Sequence, residues 1–137
     1  MSDSLTQELL ALNQKLLDSI ATGDWVAYDN LCDASLTAFE PEAVGQLVQG
    51  LKFHKFYFDL GATQELQNTT MCSPHVRILG DVAIVTYVRL IQRSSREVPL
   101  TVAFEETRVW HKLANGWKHV HFHRSEITKT RRKGYIT

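Results

Sequence analysis

An α+β fold is predicted by three observations. Apolar residues recur at helical spacing in the first half of the chain, period-two alternation takes over from Thr69, and tight-turn signals divide that second half into hairpins. Leu5, Leu9, Leu12, Leu16 and Ile20 lie three or four residues apart, predicting a helix from about Asp3 to Thr22 on a stripe widened by Leu10 and Leu17. Ser4 with Gln7 has the form of a capping box, and Gly23 is a natural stop. Asp24 then suits the N-cap of a short second helix carrying Trp25, Tyr28 and Leu31. Leu36–Phe39 reads as a short strand, and Pro41 as the first turn of a short helix. Gly50–Leu60, rich in aromatic residues, reads as a helix packed across a sheet, with a polar loop over Gly61–Asn68. Thr69–Leu79 and Val82–Gln92 form one hairpin around Gly80-Asp81. Pro99–Leu113 and Trp117–Ile127 form a second around Asn115-Gly116.

The 137 residues fit one domain, and 44% hydrophobic with 22% charged composition fits neither a disordered nor a membrane class. We divide the chain into a single domain, 1–128, and a basic C-terminal tail, 129–137. Formal charge is zero, which removes the simplest argument for a nucleic-acid partner. It is unevenly spread, however: without Lys129, Arg131, Arg132 and Lys133 the body has 11 basic and 15 acidic residues, net −4. Cys32 and Cys72 lack metal-ligand spacing and read as buried free thiols of a reducing compartment. With no signal-peptide pattern and no apolar run near ~20 residues, the expectation is a cytoplasmic protein without a membrane partner.

The informative feature is charge on faces that read as core. Ala83, Val85, Tyr87, Arg89 and Ile91 share one strand face. Val102, Phe104, Glu106, Arg108 and Trp110 share another, and Val120, Phe122 and Arg124 a third. A buried guanidinium costs several kcal/mol unless paired, so three on neighbouring strands call for carboxylates, an anionic ligand or a water-filled cavity. Glu106, Glu40 and Glu42 are candidate internal partners; a solvated sheet face is the other plain reading. His119, His121 and His123 alternate along the last strand with His111 nearby. Same-face neighbours stand ~7 Å apart, long for joint ligation of one metal, so a structural or solvated histidine face is expected and no metal or cofactor is assigned. Phosphate loops, nucleophile elbows and zinc-protease motifs are absent from the sequence, and nothing in it brings Cys32 to a histidine.

Phe39-Glu-Pro-Glu-Ala, Gly50-Leu-Lys-Phe-His-Lys-Phe-Tyr-Phe and Glu105-Glu-Thr-Arg-Val-Trp-His together resemble the association domain of calcium/calmodulin-dependent protein kinase II. Gly23-Asp-Trp-Val-Ala-Tyr and Val120-His-Phe-His-Arg-Ser fit the same family, so the resemblance runs from about Leu5 to Ser125. It implies an NTF2-like cone, a long helix wrapped by a strongly curved antiparallel sheet, and an assembly role rather than catalysis. In such a role the chain's partner is itself, in dimers stacked as two-layered rings, dodecameric or larger. The family's cavity arginines map onto Arg89, Arg108 and Arg124, a family histidine onto His54 and a tyrosine onto Tyr28. The ligand this implies is a small carboxylate or an acidic side chain, as on a kinase-derived peptide.

Three departures stand out. Gly61-Ala62 replaces an aromatic flap residue, Ala34-Ser35 a Pro-Gly turn, and the loop Arg93–Val98 is charged. The alternative is an NTF2-like isomerase or dehydratase. That chemistry needs a proton-transfer group on the cavity wall, and only His54 and Glu106 qualify, because arginines do not titrate at neutral pH.

Overall fold

The computed structural model describes residues 2–61, 66–94 and 99–127. Their order is α1 (Ser2–Thr22), α2 (Trp25–Leu31), β1 (Cys32–Phe39), a one-turn 3-10 helix (Pro41–Ala43) and β2 (Val48–Gln49). Then come α3 (Lys52–Asp59), β3 (Gln67–Leu79), β4 (Val82–Arg93), β5 (Leu100–Leu113) and β6 (Gly116–Glu126). The strands form one sheet in the order β2-β1-β6-β5-β4-β3, antiparallel except where β1 runs parallel to β6. The tail 129–137, Ala62 and most of the charged loop expected at Arg93–Val98 lie outside the described residues. Among the described residues no helix is long and apolar enough to cross a membrane.

The leucine stripe of α1 packs onto β3 and β4, with Leu9, Leu16 and Leu17 fully buried. The helix begins at Ser2, so Ser4 lies inside it and the expected capping box does not form its start. Its end is a Schellman turn: Gly23, at φ +70°, donates to the Ile20 carbonyl at 3.3 Å, and Asp24 donates to that of Ser19 at 2.9 Å. The Asp24 carboxylate in turn accepts from the Ala27 N–H at 3.1 Å and starts α2. At the β5–β6 hairpin the turn residues are Ala114 and Asn115, with Gly116 already paired to Leu113.

One departure from strict alternation decides the site. Along the β5–β6 ladder Val109 faces His121 and Trp110 faces His119, so Val120 is an inserted residue, a β-bulge. The inward row of β6 is therefore Trp117, His119, Phe122 and Arg124, not Val120, Phe122 and Arg124 as strict period two suggested. The three histidines do not share a face. His119 is fully buried, His121 is half-buried and His123 is exposed. A second bulge, with Ser73 at φ +51°, bends β3 between Cys72 and His75 and accommodates Pro74 on this edge strand.

Candidate functional site

Register brings the charged residues of β4, β5 and β6 together. Glu106 lies opposite Tyr87 on one side and opposite Arg124 on the other, while Arg89 and Arg108 each follow two residues along the same inward faces. Helices α2 and α3 close over them with Tyr28, His54 and Phe58. The result is a cavity of about 220 Å³. All five residues singled out from the sequence line it: Arg89, Arg108, Arg124, His54 and Tyr28.

The innermost part is an ion cluster. Both Glu106 oxygens are engaged: one accepts from Tyr87 Oη at 2.6 Å and Arg108 Nε at 3.0 Å, the other from Arg89 Nη1 at 3.1 Å. Arg108 Nε also donates to Tyr87 Oη at 3.0 Å, and its guanidinium lies 4.3 Å from the Phe122 ring centroid. Burial alone would raise the Glu106 pKa, but Arg108, then Arg89, and the Tyr87 hydroxyl bring it down to about 2. Burial likewise opposes the charge on Arg108, and Glu106 more than offsets it, so that pKa is raised. For Arg89 burial prevails and the pKa is lowered. Two guanidiniums thus face one carboxylate, leaving a surplus positive charge at the bottom of the cavity. Arg89 Nε, although buried, has no hydrogen-bond partner.

The mouth has the opposite balance. Arg124 contacts Glu42 directly and stands 3.6 Å from Glu40, which in turn accepts from His54 Nε2 at 2.5 Å. The other His54 ring nitrogen, Nδ1, is buried and unpartnered. With Nε2 donating to Glu40, Nδ1 is left as the acceptor of the ring. Partial burial would raise the Glu42 pKa, but the Arg124 contact holds it below the usual carboxylate range. Tyr28 Oη is pushed up by burial, so it stays a neutral hydroxyl at the cavity wall.

Behind the cluster lies a residue the period-two reading put on the wrong face. His119 Nε2 is 3.5 Å from Arg108 Nη1, a group that only donates, so Nδ1 carries the hydrogen and points at Cys32 Sγ, also 3.5 Å away. The chain therefore does bring Cys32 to a histidine, but not as a nucleophile pair. Burial pushes the thiol up to about 12, and burial with the Arg108 charge drives His119 well below its ordinary range, leaving both neutral. Cys72 is half-buried rather than buried. Asn13, a polar residue inside the leucine stripe, was also missed. It accepts from Trp110 Nε1 at 3.0 Å and donates to Met71 Sδ at 3.3 Å. A short polar residue at a stripe position was the available signal. Among the described residues no cluster of His, Cys, Asp and Glu has metal-binding geometry.

With this geometry in hand, comparison with known proteins is specific. The family described as "Calcium/calmodulin dependent protein kinase II association domain" matches residues 5–128. The calcium/calmodulin-dependent protein kinase type II alpha chain of Drosophila melanogaster is 47% identical over 132 residues, 93% of this chain and 25% of that protein. The chain thus spans about a quarter of the length of the curated relatives it matches. The CaMKII hub homology domain of Chlamydomonas reinhardtii superposes with a TM-score of 0.86 at 50% identity, covering 90% of this chain and 99% of that one. The association domain of C. elegans CaMKII gives 0.85 at 44%, covering 90% and 96%. The fold extends to an NTF2-like putative dehydratase from Streptomyces avermitilis, TM-score 0.77 at 19% identity over 93% of this chain and 99% of that one.

Proposed function

Since the chain belongs to the calcium/calmodulin-dependent protein kinase II association-domain family, whose members are oligomerisation hubs and not the catalytic domain, we propose that its copies close into a ring. Dimers stacked in two layers, dodecameric or larger, make that ring, and the assembly works in the cytoplasm. Residues 1–128 are the unit that assembles, with the basic segment 129–137 outside it. The match over residues 5–128 carries this reading. Exposed apolar side chains support it: Val26 on α2, Phe56 on α3 and Leu60 at the C-cap of α3 are 60–70% exposed, surface that association would cover. Contacts between dimers must close on themselves, since an open heterologous contact would give filaments. Light scattering tests the proposal: a native mass many times the 15.6 kDa protomer is expected, and a monomer or dimer would refute it.

The cavity adds a second reading, favoured by one observation: two guanidiniums share one carboxylate at its base, and Arg89 Nε has no partner. That is a place for a small carboxylate, or the acidic side chain of a kinase-derived peptide, and the aromatic wall of Tyr28, Phe58 and Phe122 suits a planar apolar body. Benzoate is a suitable calorimetric probe. Arg89→Gln should weaken it at least tenfold, roughly one lost charge-assisted hydrogen bond, and an unchanged affinity would refute the assignment. An isomerase or dehydratase reading gains nothing here. Glu106, held at about 2 beneath its arginines, is a poor base, and the enzyme-like relatives share only the fold.

A further inference from the structure

We propose that Glu42 is a resident competitor for the outer arginine of the cavity, so that a carboxylate ligand enters by exchanging with it; this rests on the carboxylate reading above. The cavity is electrically polarised. Its base holds Arg89 and Arg108 against Glu106 alone, whereas its mouth holds Arg124 against both Glu40 and Glu42. An anion drawn to the base must pass a rim whose carboxylates outnumber its guanidinium.

The two rim carboxylates are not equivalent. Glu40 has a side chain only 6% exposed, and it is committed to His54. Glu42 is 41% exposed and makes the closer contact with Arg124. It presents to that guanidinium the same chemical group a ligand would bring. With Glu42 in place, the outer arginine is occupied and its charge is neutralised toward the cavity.

The segment carrying Glu42 is built to be displaced. It is a single 3-10 turn, Pro41–Ala43, anchored by the buried Ala43. The turn ends on Val44, a β-branched residue in the left-handed region at φ 51°, ψ 56° and 82% exposed, followed by Gly45 at φ +85°. Successive left-handed residues, the first strained for its type and repaid by no burial of its own, make an end that is easily re-set. Backbone bonds from Val44 N–H to the Pro41 carbonyl at 3.1 Å and from Gln46 N–H to that of Ala43 at 3.2 Å close the turn, and the Glu42–Arg124 contact ties it to the sheet. Withdrawal of Glu42 frees Arg124 for an incoming carboxylate, while Arg89 Nε offers an unpartnered N–H deeper in.

The consequence has a distinctive sign. Removing a cavity cation weakens carboxylate binding, but removing the Glu42 charge strengthens it. Glu42→Gln keeps the shape and a neutral acceptor while making the rim one charge more positive. In calorimetry of the full chain with benzoate, Glu42→Gln should bind about tenfold tighter than wild type, ~1.4 kcal/mol, with Arg89→Gln weaker than both. If wild type binds benzoate and Glu42→Gln binds equally or more weakly, Glu42 is no competitor, and the cavity reading survives alone. If neither binds benzoate while both unfold at the same temperature, the carboxylate reading fails and takes this inference with it.

Discussion

Replacing Glu106 by Gln should destabilise each protomer by roughly 3–5 kcal/mol, the range expected when one partner of a buried ion pair is removed and the other charge stays behind. The structure gives a second route to the figure. The Glu106 side chain is inaccessible to solvent and its pKa is lowered from 4.5 to about 2, and at ~1.36 kcal/mol per unit that is about 3 kcal/mol in favour of the ionised form, the balance left after Arg108, Arg89 and Tyr87 offset the burial penalty. The two routes agree. Because the folded pKa is depressed, the stabilisation is fully present above the ordinary value near 4.5 and is lost as pH falls toward 2. Thermal unfolding at one fixed protomer concentration is the assay, since assembly itself shifts apparent stability. At neutral pH the variant should melt about 10 °C below wild type, taking roughly 3 °C per kcal/mol for a chain of this length. Titrating toward the folded pKa should shrink the gap. A variant melting within about 2 °C of wild type at neutral pH, or a gap that does not narrow in acid, would refute the claim that Glu106 is the ionised centre of the buried cluster.

Three further outcomes are expected. Deleting Val120 removes the bulge and puts either His119 or the Phe122–Arg124 pair on the solvent face, so cooperative unfolding should be lost; a wild-type melting curve would show that the bulge is dispensable. Iodoacetamide at mildly alkaline pH should label the half-buried Cys72 and spare Cys32, whose thiol is buried and held at about 12; peptide mapping that finds an adduct on Cys32 in the folded protein contradicts this. Asp24→Ala removes the side-chain cap of α2 and should cost about 1 kcal/mol, read as a melting temperature ~3 °C lower, with no change expected in native mass.

The sequence carried the α+β fold and the cavity residues because both depend on periodicity that neighbouring residues cannot hide. The α1 stripe and the inward faces of β4 and β5 keep their spacing over whole elements, so Arg89, Glu106 and Arg108 stood out as charges among apolar residues. What was not legible depends on one-residue insertions and on pairing across long separations. The bulge at Val120 leaves no composition signal, because an extra valine is as good a strand residue as any, yet it exchanges the faces of His119 and Val120. The parallel β1–β6 pair joins residues more than eighty apart, such as Thr37 and His121, and no local pattern announces it. Cys32 meets His119 through the same pairing, so that contact was hidden for both reasons.

An internal ion-pair network and a ligand site were opposing readings of the three arginines, and the three differ in how far the protein's own carboxylates meet them. Arg108 is 1% exposed and is matched by Glu106, Tyr87 and neutral His119, as a structural cation should be. Arg89, 5% exposed, leans on a carboxylate already shared and keeps a bare Nε, a donor that the protein's own groups leave unmet. Arg124, nearest the mouth, has more carboxylate than it needs. Arg108 and Arg124 are each explained by pairing; the displacement of charge from base to rim is not, because moving one carboxylate inward would neutralise both ends. A fold indifferent to ligands has no reason to hold positive surplus where solvent is scarce and negative surplus where solvent already screens it. That separation, more than the count of guanidiniums, is the physical ground for reading the cavity as a site.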